Sequence, residues 1–284
     1  MTDAPTTTDG YPAVRTGATW APDERDVVSV VGPDAEKYLQ GQLSQDIVAL
    51  AVGASAWTLL LDPTGKLGSW LRVTRPAADS FLLDGDPGSG PVMVARLNRF
   101  KLRTAAEIEL IARPTNTSEP VSEVPDANTS DPGPSDATLS GSDDGSEASR
   151  IEAGVPKLGA EIVDDVIPAE LGQWLIDASV SFTKGCYTGQ ELVARIDSRG
   201  GNVPRHLRGL VVVGEVVPPV GAEIVADDKV VGSVTSSAWS PHLGAPIALG
   251  FVHRTIEPPA VVALRWDGGA TSAEMRELPL IPVR

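Results

Sequence analysis

The chain has 284 residues, 42% of them hydrophobic and 21% charged, with a formal net charge of −15. That length can bury a sizeable core in two domains, or in one with an appendage. So acidic a balance excludes a nucleic-acid footprint spread over the whole surface, and the single cysteine, Cys186, excludes an internal disulfide and cannot alone hold zinc or an iron–sulfur cluster. One thiol makes a reducing, cytoplasmic setting the default. Residues 1–10 lack the basic-then-apolar pattern of a signal peptide. The uncharged run 47–61 is too short to span a bilayer and is interrupted by Gly53 and Ser55, so no membrane association is expected.

In chain order, residues 27–31 form a short β-branched strand. Pro33 then opens a helix carrying Ala35, Tyr38 and Leu39, which stops near Gly41. Residues 54–61 and 67–74 read as strands joined by the hairpin Asp62-Pro63-Thr64-Gly65-Lys66, with Gly65 free to take a positive φ. Residues 81–84 give a third strand. Residues 91–102 give a helix with Met93, Leu97 and Phe100 on one face, and 107–111 a final strand. Residues 114–149 hold eight Ser, five Pro and eight Asp or Glu, with no Lys, Arg or aromatic residue. Such a stretch cannot bury enough surface to offset its ordering entropy, which predicts a disordered acidic loop. Beyond it, Pro168 opens a helix holding Leu171, Trp174 and Leu175. A second helix starts near Thr188, where Thr188 and Glu191 form a capping box and Leu192, Val193 and Ile196 an apolar face. After Pro204 six short runs, at 207–213, 223–225, 230–235, 247–253, 260–264 and 273–278, predict a small barrel.

No phosphate-binding loop, zinc-protease helix or nucleophile elbow is present, and three histidines with one cysteine do not suggest a metal centre. The chemically densest segment is 184–208, where five basic residues face two acidic ones. It places Cys186 ahead of a helix N-terminus and two residues after Lys184. Both features favour a thiolate, which makes Cys186 a candidate catalytic group and Lys184 its candidate activator. The same residues also fit a small buried hydrophobe beside surface arginines.

The run Lys184-Gly185-Cys186-Tyr187-Thr188-Gly189-Gln190-Glu191, with Phe182 ahead and Val193-Ala194-Arg195 behind, resembles the signature of the YgfZ family of folate-binding proteins. These are relatives of the aminomethyltransferase (T-protein) of the glycine cleavage system. The stretch from Gly32 through Gln40-Gly41-Gln42 to Asp46, the 62–66 hairpin, Arg150-Ile151-Glu152-Ala153-Gly154, and the 232–236 and 240–252 segments resemble other parts of the same family.

The resemblance implies an α+β fold: a T-protein-like ring of α+β modules around a central folate-sized cleft, with a C-terminal antiparallel β-barrel. The expected divisions are a flexible tail at 1–25, α+β parts at 26–113 and 150–204 flanking the loop, and a barrel at 205–284. The implied cofactor is tetrahydrofolate or a derivative. Glu152 matches the pterin-contacting carboxylate, and Arg150, Gln42, Tyr187, Gln190 and Arg195 are further candidate contacts. The implied function is that of an accessory protein in assembly or repair of iron–sulfur enzymes, with client enzymes or cluster-assembly proteins as partners and no direct contact with nucleic acid. A tRNA-modifying role is also attached to the family, because one such enzyme acts on tRNA. The T-protein has a catalytic carboxylate just after its equivalent hairpin, whereas Gly65-Lys66-Leu67-Gly68-Ser69-Trp70-Leu71 has none. That difference leans away from an enzyme, leaving a folate-dependent one-carbon transferase and a non-catalytic scaffold as alternatives.

Overall fold

The computed structural model describes residues 25–111 and 143–281. The expected tail, apart from Arg25, and residues 114–142 of the acidic stretch lie outside the described residues. The first module is a five-stranded sheet of β1 (Asp26–Val31), β2 (Ser55–Leu61), β3 (Leu67–Ala77), β4 (Ser80–Gly85) and β5 (Glu107–Ile111), in the order β2-β3-β4-β1-β5. Every pairing in it is antiparallel.

Alternation along the strands sends side chains to two different cores. Leu60, Leu71, Val73, Val28, Val30, Phe81 and Leu83 face helices α1 (Ala35–Gln40) and α2 (Ser89–Arg99), which contribute Tyr38, Leu39, Met93 and Leu97. Leu59, Leu61 and Trp70 point the other way, into a core shared with residues 151–180 and the C-terminal domain. Trp70 stacks on Trp57 at 4.3 Å and meets Trp174 edge-on at 5.7 Å.

The C-terminal domain is a closed barrel of β6 (Arg205–Val212), β7 (Glu223–Ala226), β8 (Lys229–Ser240), β9 (Ala245–His253), β10 (Ala260–Trp266) and β11 (Gly269–Arg276). The six predicted strands are all there, with β8 longer and β11 earlier than their apolar runs suggest. Strand β9 is apolar along almost its whole length because it is buried on both faces. Ile247, Leu249 and Phe251 join the shared core, while Ala248 and Val252 fill the barrel.

The predicted loop differs from the structure at its C-terminal end. Residues Asp143–Ala153 form a helix, α3, with Ala148 and Ile151 buried. The composition of 114–149 is polar, but the apolar residues that seat the helix, Ile151 and Ala153, come after the window, so a boundary at Ser149 cuts the helix in its middle. The predicted helix after Pro168 is also divided. A 3-10 turn (Pro168–Leu171) ends at Gly172, whose φ is +118°, and α4 (Gln173–Ser179) follows.

The α3 helix brings Arg150 into the joint between module and barrel. Arg150 is fully buried, and its five N–H groups make five hydrogen bonds. Two go to Glu147, at 2.9 and 2.7 Å, and one each to Val155 O (2.6 Å), Glu161 Oε2 (2.9 Å) and Ser236 Oγ of β8 (2.6 Å). Glu161, also fully buried, accepts from Thr235 and Ser236 on its other oxygen. Burial works against the Arg150 charge, and Glu147 and Glu161 outweigh it, so its pKa lies above the ordinary arginine value.

Breaking a buried pair from one side leaves an uncompensated charge and costs about 3–5 kcal/mol. Arg150→Met should therefore lower unfolding free energy in urea by about that amount. Combining it with Glu161→Leu should recover a large part of the loss, and a double variant as unstable as the single one would contradict this reading.

Candidate functional site

The signature segment lies between two turns of the first module. Helix α5 (Gln190–Asp197) begins after Gly189, which sits at φ +84° against the tip of the β2–β3 hairpin. A methyl group on Gly189 would lie 2.5 Å from Asp62 O and 2.8 Å from Leu61 Cβ. One on Gly65, at φ +88°, would lie 2.5 Å from Leu192 Cβ and 2.9 Å from Gly189 O. The two glycines permit this close approach because neither carries a Cβ.

On the other side, the Thr188 amide and hydroxyl both donate to Gly41 O, at 3.0 and 3.3 Å. The Lys184 ammonium donates to Gln40 O (2.6 Å), Leu43 O (2.7 Å) and Gln45 O (2.9 Å). Gly41 ends α1 in a right-handed conformation, φ −86°, so the helix does not close with a left-handed cap. The lysine supplies the missing donors at its C-terminal end instead. Burial pulls the Lys184 pKa down to about 8, with Asp46 acting in the opposite direction.

These contacts correct two expectations. Thr188 is not the helix cap, and α5 has no side-chain cap at all. The Tyr187 amide is taken by Gln190 Oε1 at 3.1 Å. Lys184 has three N–H donors and all three lie on carbonyls, so it anchors the 40–45 turn and has no donor left for the thiol. Cys186 itself is free and exposed, which removes the reading of it as a buried packing residue. Tyr187 is half-buried against the shared core, its phenol pushed up to about 12 by burial. Gln42 accepts from Arg96 (3.1 Å) and Thr188 (3.4 Å). Arg195 is exposed on the outer side of α5. Arg96, which also donates to Leu61 O at 2.9 Å, ties the 40–45 turn to the hairpin strand. Nothing in the linear sequence signals that role, because an arginine on an amphipathic helix reads as surface.

The second group surrounds Glu152, on the last turn of α3. Its side chain is 8% exposed. Ser240 Oγ donates to Oε1 at 2.5 Å, and His242 Nδ1 lies 3.2 Å from Oε1 and 3.0 Å from Oε2. Facing a carboxylate, that nitrogen carries the proton. The Leu280 amide holds the Glu152 carbonyl at 2.8 Å, and the Leu243 amide holds Ser240 Oγ at 3.0 Å. Ser240 and His242 lie within the segment of resemblance, but nothing in the linear sequence marks them, because only the fold brings the end of β8 and its turn onto α3 at Glu152.

Arg150, two residues earlier, is corrected as a folate contact: its five donors are all engaged inside the protein and it presents no surface. Ser69, where the T-protein carboxylate would fall, is 2% exposed and paired with Leu60. A recess of about 560 Å³ on the barrel, bordered by Glu223, Arg265, Trp266 and Asp267, includes none of the candidate residues. Among the described residues no helix is long and apolar enough to cross a membrane, and no cluster of metal-ligating side chains occurs.

Two glycines of one motif should separate packing from chemistry. At Gly189 an alanine meets both a strained φ, costing about 1–3 kcal/mol, and the hairpin tip, so Gly189→Ala should lower the melting temperature by several degrees. Gly185 has nothing within 4 Å of an added methyl, and Gly185→Ala should melt like the wild type in the same calorimetric scan. Lys184 gives a pH signature. Its folded pKa lies below the unfolded value, so between about pH 8 and 10.5 the unfolded chain binds more protons there. The stability of the wild type relative to Lys184→Met should therefore rise with pH across that window, and a flat or falling difference in urea titrations would contradict it.

The comparisons agree with this geometry. Residues 205–281 match the glycine cleavage T-protein C-terminal barrel domain. An uncharacterised protein of Haemophilus influenzae is 32% identical over 199 residues, covering 62% of this chain and 67% of that one. The tRNA-modifying protein YgfZ of Photorhabdus laumondii is 29% identical over 232 residues, covering 63% and 67%. The aminomethyltransferase of Streptomyces avermitilis is 35% identical over 120 residues, but the match spans only 32% of that enzyme. The crystal structure of glycine cleavage system aminomethyltransferase T from Bartonella henselae shares the fold, with a TM-score of 0.68 at 17% identity over 90% of this chain and 84% of that one. With the signature segment, the α+β module and the barrel all accounted for, the chain belongs to the YgfZ family, relatives of the glycine cleavage T-protein.

Proposed function

We propose that the protein is a cytoplasmic, folate-binding accessory factor for the assembly or repair of iron–sulfur enzymes, acting through Cys186, with client enzymes or cluster-assembly proteins as its partners. The observation that carries this reading is the placement of the thiol. Cys186 stands exposed on a segment fastened at Lys184 to one turn and at Gly189 to another. A reactive group on a fixed loop is presented to a partner at a defined position without an ordering cost on contact.

The Glu152 carboxylate suits a pterin. It is buried, its backbone is held by Leu280 and one oxygen by Ser240, and a carboxylate can accept a pair of N–H donors from a pterin edge. Bound tetrahydrofolate supplies a one-carbon carrier. Tyr187, Gln190, Gln42 and Arg195 remain proposed contacts for the rest of the molecule. The chain has no acidic group on the 65–71 stretch to take a proton there, which disfavours aminomethyl transfer.

Tetrahydrofolate should quench the fluorescence of the Trp57–Trp70 pair saturably. Glu152→Gln should weaken that binding roughly ten- to hundredfold, the range of a charge-assisted hydrogen bond. Glu191→Gln, on the exposed side of α5, should leave it unchanged. Cys186→Ser should fold and bind folate like the wild type yet fail to restore iron–sulfur enzyme activity to cells lacking the native protein. Full rescue by that variant would overturn the role of the thiol. Ammonia release from aminomethylated carrier protein at enzyme-like rates would favour the transferase reading instead.

A further inference from the structure

The position of His242 has a consequence for ligand entry. Its Nδ1 lies across both Glu152 oxygens, at 3.2 and 3.0 Å, and so covers the edge of the carboxylate that a two-donor ligand must reach. Ser240 approaches only Oε1. A carboxylate has about four lone-pair sites, so Ser240 can stay in place while a pair of N–H donors binds, but His242 cannot. The two residues also differ in freedom. Ser240 is fully buried at the end of β8 and held by the Leu243 amide, whereas the His242 side chain is 70% exposed on the β8–β9 turn. One donor is fixed and the other can swing into solvent.

We propose that His242 is a gate on the folate site. Its imidazole occupies the pterin edge of Glu152 in the free protein and must leave before the ligand binds. This rests on the reading of Glu152 as the pterin acceptor. The gate lowers apparent affinity by the fraction of molecules in which it is open, and slows association by the same fraction. It also keeps a buried carboxylate hydrogen-bonded while the site is empty, where an unpaired charge would be costly.

The test is stopped-flow and equilibrium titration of the full chain with tetrahydrofolate, followed by tryptophan fluorescence. His242→Ala should bind roughly three- to tenfold tighter, with the gain in the association rate and little change in dissociation. Ser240→Ala should show no gain in affinity or association rate, because its hydrogen bond to Glu152 is present in both states. Weaker binding by His242→Ala would make the histidine a support for Glu152 and overturn the gate, as would unchanged affinity and rates. If wild type and Glu152→Gln bind equally, or neither binds, the assignment of Glu152 itself fails and the gate with it. That outcome is distinct from a wild type that depends on Glu152 and ignores His242.

Discussion

A buried guanidinium with every donor engaged holds this molecule together. Arg150 joins α3 and the 155–161 segment that follows it to barrel strand β8, which lies far along the chain. Desolvating such a charge is expensive, and only a complete set of acceptors offsets it. Glu161 and Ser236 complete the set by bonding one another, so the network has no loose end. Its consequence for function is positional. Glu152 lies two residues along the same helix, and the β8–β9 turn that carries Ser240 and His242 follows directly from the strand that Arg150 grips. The carboxylate and its partners are placed by the same joint.

The signature segment obeys a comparable constraint. Tyr187 packs against the shared core beside Cys186, and polar and steric contacts hold the segment at its two ends. Lys184 closes the last carbonyl of α1, Gln40 O, with two more in the turn that follows, and Gly189 packs backbone to backbone with the hairpin tip. The thiol between them is left exposed. Residues that look like activators of Cys186 in the linear sequence are therefore its scaffold. The distinction matters for interpreting variants: loss of Lys184 or Gly189 disturbs the loop, while loss of Cys186 removes an exposed thiol and leaves those contacts in place.

The chain's periodicity made most of the strands and the barrel legible, because alternation of side chains along a half-buried strand follows from local geometry alone. Composition was less informative where a helix draws its anchor from the following residues, as with α3, whose first half is polar and whose hold on the core comes from Ile151 and from Arg150. Turn chemistry was legible at Gly65, where the hairpin requires a positive φ. It misled at Thr188, where a hydroxyl suited to capping bonds to Gly41 O across the fold.

By itself, then, the sequence determined most of the strands and the small barrel, the resemblance to the family through its eight-residue signature, and the identity of the lone thiol, since each depends on local pattern or residue type. Only the tertiary structure decided what the polar residues of that pattern do. Whether Arg150 meets a ligand or an internal carboxylate, whether Lys184 faces a thiol or a helix end, and which side chains cover Glu152 depend on segments tens of residues away. The hydrogen bonds that settle these roles are formed only when the folded chain brings α3 against the barrel and the signature segment against the 40–45 turn.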